Sequence, residues 1–66
     1  MTPEPYVMWF NAPAKIHHLP LMRLELKSYE RCSASPEQDV AACYMRAAEN
    51  TRQAIQELER LALERA

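Results

Sequence analysis

No proline follows Pro36, and the chain has no glycine anywhere, so no residue interrupts a helix from there to the C-terminus. This stretch limits the possible folds more than any other. It opens on a start signal, Ser35-Pro36-Glu37-Gln38. Ser35 can accept from the amide near Gln38, and Gln38 can reach back to the amide of Ser35. Pro36 then takes the first helical position, where its missing N–H costs nothing. Glu37 and Asp39 place negative charge where the helix dipole favours it. The pattern predicts a helix over residues 36–65, a rod of about 40–45 Å at 1.5 Å per residue.

The periodicity gives this helix two faces. Val40, Ala41, Tyr44, Ala47, Ala48, Thr51, Ala54, Ile55, Leu58, Leu61 and Ala62 recur at spacings of three and four, which puts them on one side. The other side carries Arg46, Glu49, Arg52, Gln53, Gln56, Glu57, Glu59, Arg60 and Glu64, the composition of a solvated face. The apolar stripe is mostly alanine at first and heavier toward Ile55, Leu58 and Leu61. Such a helix draws its stability from packing and needs a partner.

Residues 1–34 must supply that partner or leave it to a second copy. Thr2–Pro5 reads as extended. Tyr6-Val7-Met8-Trp9-Phe10 is the densest apolar stretch and holds three of the five aromatic residues. It is too short for an ordinary helix and reads as an extended segment or short strand that plugs the small core, presents a binding anchor, or does both with different rings. With no glycine for left-handed positions, tight hairpins and phosphate-cradling loops are disfavoured. Residues 11–19 read as a connector punctuated by Pro13. In the middle segment Met22, Leu24 and Leu26 alternate with Arg23, Glu25 and Lys27, as in a strand. From Pro20 to Cys32, however, Met22, Leu26 and Tyr29 share a helical face, with Leu19 near it, and the segment is rich in good helix formers, which favours helix. Leu21 and Leu24 lie off that face, which predicts a helix packed on two sides.

The expected fold is therefore all-α within a single domain, residues 1–66. It comprises an extended apolar arm and connector over 1–19, a short helix over 20–32, a turn at Ser33-Ala34, and the long helix. The two helices form an antiparallel helical hairpin. The C-terminal half of the long helix then overhangs its shorter partner. Two-fold dimerisation into a four-helix arrangement would cover it along a seam of Tyr44, Thr51, Ile55, Leu58 and Leu61.

Chemistry is sparse. Cys32 and Cys43 lack the spacing of a redox pair or zinc knuckle, lie at mismatched heights for a disulfide, and read as buried free thiols. Together with the adjacent His17 and His18 they have zinc-ligand types but no recognised spacing, so no metal or other cofactor is expected. Asp39 is the sole aspartate and has a capping role; Ser28, Ser33 and Ser35 have no base fixed beside them. Neither an enzyme nor a small-molecule substrate is expected. The net charge of −1 divides into +1 over residues 1–34 and −2 over 35–66, which gives no global attraction to nucleic acid or membrane. Arg23, Lys27 and Arg31, spaced by four, form the one basic stripe, and a small nucleic-acid-binding regulator using it is the alternative reading. No apolar run approaches the roughly 20 residues of a membrane span, and the N-terminus lacks a signal-peptide pattern, which points to the cytoplasm. The favoured reading is a non-catalytic protein-binding module, a regulator, inhibitor or accessory subunit of bacterial or phage type. Its partners are itself and another protein, which it contacts through Tyr6, Met8, Trp9 and Phe10.

Overall fold

The computed structural model describes residues 3–65; Thr2, in the expected extended arm, lies outside them. The chain forms β1 (Tyr6–Trp9), β2 (Ala12–Lys15), a 3-10 turn (Ile16–His18), α1 (Leu19–Cys32) and α2 (Gln38–Arg65). It is mostly helical, with two helices as expected. The all-α expectation is corrected by a two-stranded antiparallel sheet, in which the first half of the connector becomes β2.

The hairpin forms without glycine. Trp9 pairs with Ala12, so the loop is Phe10-Asn11 alone, and Phe10 takes the left-handed backbone conformation at φ 58°. That conformation costs a residue with a Cβ about 1–2 kcal/mol. Compensation comes from the ring, whose centroid lies 5.7 Å from that of Trp9 and, edge-on, 6.1 Å from that of Tyr29. Asn at the second loop position suits a turn. Val7, opposite the buried Ala14, turns inward with Trp9 toward the helices, whereas Tyr6 and Met8 turn outward.

The helix starting at Leu19 settles the middle segment as helix rather than strand. Leu19 and Met22 are buried, and Leu26 and Tyr29 half-buried, on the expected face. Leu21 and Leu24 are exposed, so α1 packs on one side and not two. It ends without glycine because the linker satisfies its last four carbonyls. Ser33 N–H donates to Tyr29 O at 2.9 Å and Ser33 Oγ to Glu30 O at 2.7 Å. Ala34 N–H donates to Arg31 O at 3.2 Å and Ser35 N–H to Cys32 O at 3.1 Å.

The long helix begins two residues later than predicted, at Gln38. Ser35 Oγ accepts from the amide of Glu37, at 3.2 Å, rather than that of Gln38. Pro36 and Glu37 form a bend, and the Glu37 carbonyl accepts the Ala41 N–H that starts the helical ladder. The capping-box expectation thus gives way to a tighter side-chain turn.

The core lies where α1, α2 and the hairpin meet. Ala14, Leu19, Met22, Ala54, Ile55 and Leu58 are buried in it, with Val7, Trp9, Ile16 and Leu26 packed around them. This overturns the expected overhang. The heavy C-terminal half of the stripe is covered by the chain's own hairpin and α1. Thr51, Ile55 and Leu58 are already buried within one chain, so they cannot also line a seam with a second copy; Tyr44 and Leu61 remain half-exposed. Two residues expected on a purely solvated face reach across instead. Arg52 pairs with Glu30 at 3.0 Å and Glu59 with Arg23 at 3.1 Å, each an exposed pair contributing at most about 1 kcal/mol.

Candidate protein-binding face

The hairpin is held to α2 by one buried polar contact. Thr51 Oγ1 donates to the Ala47 carbonyl at 2.8 Å and accepts the Trp9 indole N–H at 3.0 Å. Thr51 is 0% exposed, so its hydroxyl is shielded from water, a setting where an unmet polar group costs about 1–3 kcal/mol. Among the described residues no buried side-chain nitrogen or oxygen lacks a partner. The sequence signal for this contact was a lone threonine in the middle of an alanine and leucine stripe, and the periodic pattern absorbed it.

Strand alternation therefore divides the predicted contact cluster. Trp9 faces the core and serves the fold. Tyr6 and Met8, 56% and 57% exposed, lie on the outer side of the hairpin, and Phe10, 46% exposed, sits at its tip with its ring leaning back onto Trp9 and Tyr29. From that tip an aromatic row continues inward, Phe10 edge-on to Tyr29 and Tyr29 6.2 Å from Tyr44. Tyr29 donates its hydroxyl to Glu25 at 3.0 Å. Burial, then this bond and the Glu25 charge, push its pKa above the ordinary tyrosine value.

The basic stripe is partly spent. Arg23 is held by Glu59, and Arg31 turns toward Ser28 Oγ at 3.4 Å. Leu24, Lys27, Ser28, Glu30 and Arg31 line a surface depression of about 600 Å³, but all five come from α1, so no opposing wall encloses a ligand. The cysteines are free thiols as expected, yet exposed rather than buried. Cys32, the last residue of α1, and the His17-His18 pair just before its start sit at opposite ends of the helix, about 20 Å apart at 1.5 Å per residue. His18 Nδ1 accepts the Lys15 N–H at 2.9 Å. Among the described residues no three His, Cys, Asp or Glu side chains converge as metal ligands, and no helix is long and apolar enough to cross a membrane.

Comparison of the chain with protein-family models, with curated proteins and with solved structures finds no match.

Proposed function

We propose that this chain is a non-catalytic protein-binding module, a small regulator, inhibitor or accessory subunit that receives its partner on the outer side of its hairpin. The observation that carries the reading is Phe10. A bulky residue occupies a backbone conformation suited to glycine, and nearly half of its surface remains in water. The ring contacts with Trp9 and Tyr29 offset a strain that glycine at the same place would avoid, so folding alone gains little net from phenylalanine there. Strained positions that persist in a fold concentrate where a protein meets a ligand. Tyr6 and Met8 add exposed apolar surface along the adjoining strand, and exposed aromatics clustered around a rigid support are the residues that dominate binding energy at interfaces.

Phe10→Gly separates the two roles. It removes the ring and relieves the backbone, so its melting temperature stays within a few degrees of the parent. Capture of the partner from the native cell falls by about 30-fold, the loss of a 2 kcal/mol anchor. Equal capture by both chains, or a capture loss that only tracks a loss of folding, overturns the proposal.

A further inference from the structure

We infer, on the basis of that protein-binding reading, that the partner supplies an extended segment that adds to the hairpin as a third strand along the free edge of β1. The two edges of this small sheet are treated differently. Pro13 has no N–H, so Met8 and Pro13 form a non-hydrogen-bonded pair, and the ladder bonds run through Val7 with Ala14 and Trp9 with Ala12. By the same alternation the outer edge of β2 displays the positions of Pro13 and Lys15. Neither offers a donor: Pro13 lacks one, and the Lys15 N–H is bonded to His18 Nδ1. A proline and a side-chain cap are devices by which proteins close a sheet edge.

The edge of β1 carries no such device. Tyr6 and Met8 point their N–H and C=O groups away from β2, and among the described residues none of these four groups has a hydrogen-bond partner. The strand, Tyr-Val-Met-Trp, contains no charge and no proline. Unmet backbone groups in extended register recognise one ligand geometry, another extended backbone, and peptide recognition by strand addition works this way. Beside the start of β1, Pro3, Pro5, Leu61, Glu64 and Arg65 line a depression of about 480 Å³ with room for a side chain from the incoming strand. The occupant is thus an extended segment of another protein with apolar side chains at alternate positions, those on the outer side lying against Tyr6 and Met8.

A second copy fits this edge poorly. It is β1 that rests on α2. Pairing β1 with β1 across a two-fold axis would put both long helices on the same side of the joined sheet. The strands would be about 4.8 Å apart, while packed helices need 8–10 Å between axes.

The test uses the full chain and a displayed library of random nine-residue linear peptides. Selected peptides are expected to alternate apolar and polar residues and to slow amide exchange at Tyr6 and Met8 at least tenfold. Val7 and Trp9, already paired within the hairpin, should change little. A chemically synthesised chain N-methylated at Met8 keeps every side chain and loses one edge donor. It should bind the selected peptides at least tenfold more weakly while its melt and Trp9 emission match the parent. The inference is overturned if no peptide binds, if bound peptides protect neither amide, or if the N-methylated chain binds equally. It is overturned too if the free chain runs at twice its 7.7 kDa with those amides already protected, because a second copy then holds the edge. N-methylation leaves the outer side chains in place. Native-partner capture that survives it removes the strand pairing and leaves the binding face standing, whereas capture indifferent to Phe10→Gly removes the face.

Discussion

Within α2, residues 38–47 include no buried side chain, whereas residues 48–58 include five: Ala48, Thr51, Ala54, Ile55 and Leu58. Both stretches carry an apolar stripe at helical spacing, so amphipathicity does not separate them. The reach of the covering elements does. The end of α1 lies level with Arg52 and Ala48, where Glu30 pairs with Arg52 and Ser33 lines one depression with Ala48. The hairpin tip lies level with Thr51 through Trp9. Beyond these points the chain has only its linker and the contact of Tyr29 with Tyr44 to lay against the helix. The lesson is that a stripe in a sequence marks what a helix could bury. Which part it does bury depends on where neighbouring segments stop.

One substitution on each kind of surface, covered and uncovered, tests this division with the largest expected effect. Leu58→Ala, at a site with no exposure, is expected to cost about 2–5 kcal/mol, enough to unfold much of a chain this small. Leu63→Ala, at 77% exposure, should stay within about 0.5 kcal/mol. Urea melts of the two variants decide it, and similar losses would mean that the core does not lie where the fold puts it.

A smaller effect sharpens the comparison at the boundary between the covered and uncovered halves. Thr51→Val leaves the Trp9 indole without its acceptor and should cost about 1–2 kcal/mol; Trp9→Phe, which removes the donor instead, should cost a similar amount. The double variant should lose less than the sum of the two single losses, because they delete one bond. Additive losses in a double-mutant cycle would show that the two groups do not interact.

The smallest expected effect concerns the aromatic row along the weakly covered half. The Tyr29 hydroxyl has a raised pKa, so the fold retains its proton more tightly than the unfolded chain does, whose value is about 10. The stabilisation is complete below that pH and is lost as pH rises through the folded value. The difference between alkaline absorbance titrations of the parent and of Tyr29→Phe isolates this hydroxyl, which should ionise above the ordinary tyrosine value. Ionisation of Tyr29 at or below that value in the folded protein would contradict its partial burial and its bond to Glu25.

The helices were legible in the sequence because their signals are long. The stripe of α2 repeats over many turns, and the Leu19, Met22, Leu26 and Tyr29 face of α1 spans three. The hairpin was not, because its signals are short and partly contrary. Its loop is Phe-Asn without the usual glycine, and Pro13 argues against a strand unless its nitrogen is known to sit on the outer edge. Two four-residue runs on either side of a two-residue gap containing Asn11 were the available clue. The start of α2 was displaced because Ser35 had two amides within reach and took the nearer one. Of the candidate site, the apolar cluster was visible, but its division into inward Trp9, outward Tyr6 and Met8, and Phe10 at the tip needed the strand register. The expected overhang falls at the wrong end because the stripe alone gives no sign of the hairpin that covers its heavier half.

The single tryptophan of this chain sits at the junction between the hairpin and the long helix, its nitrogen on a hydroxyl anchored one turn below. Its emission colour is therefore a natural gauge of whether the front of the molecule is latched to the back. Read beside circular dichroism, which is dominated by the helices, it distinguishes a chain whose strands peel away first from one that melts as a single body, with no label added.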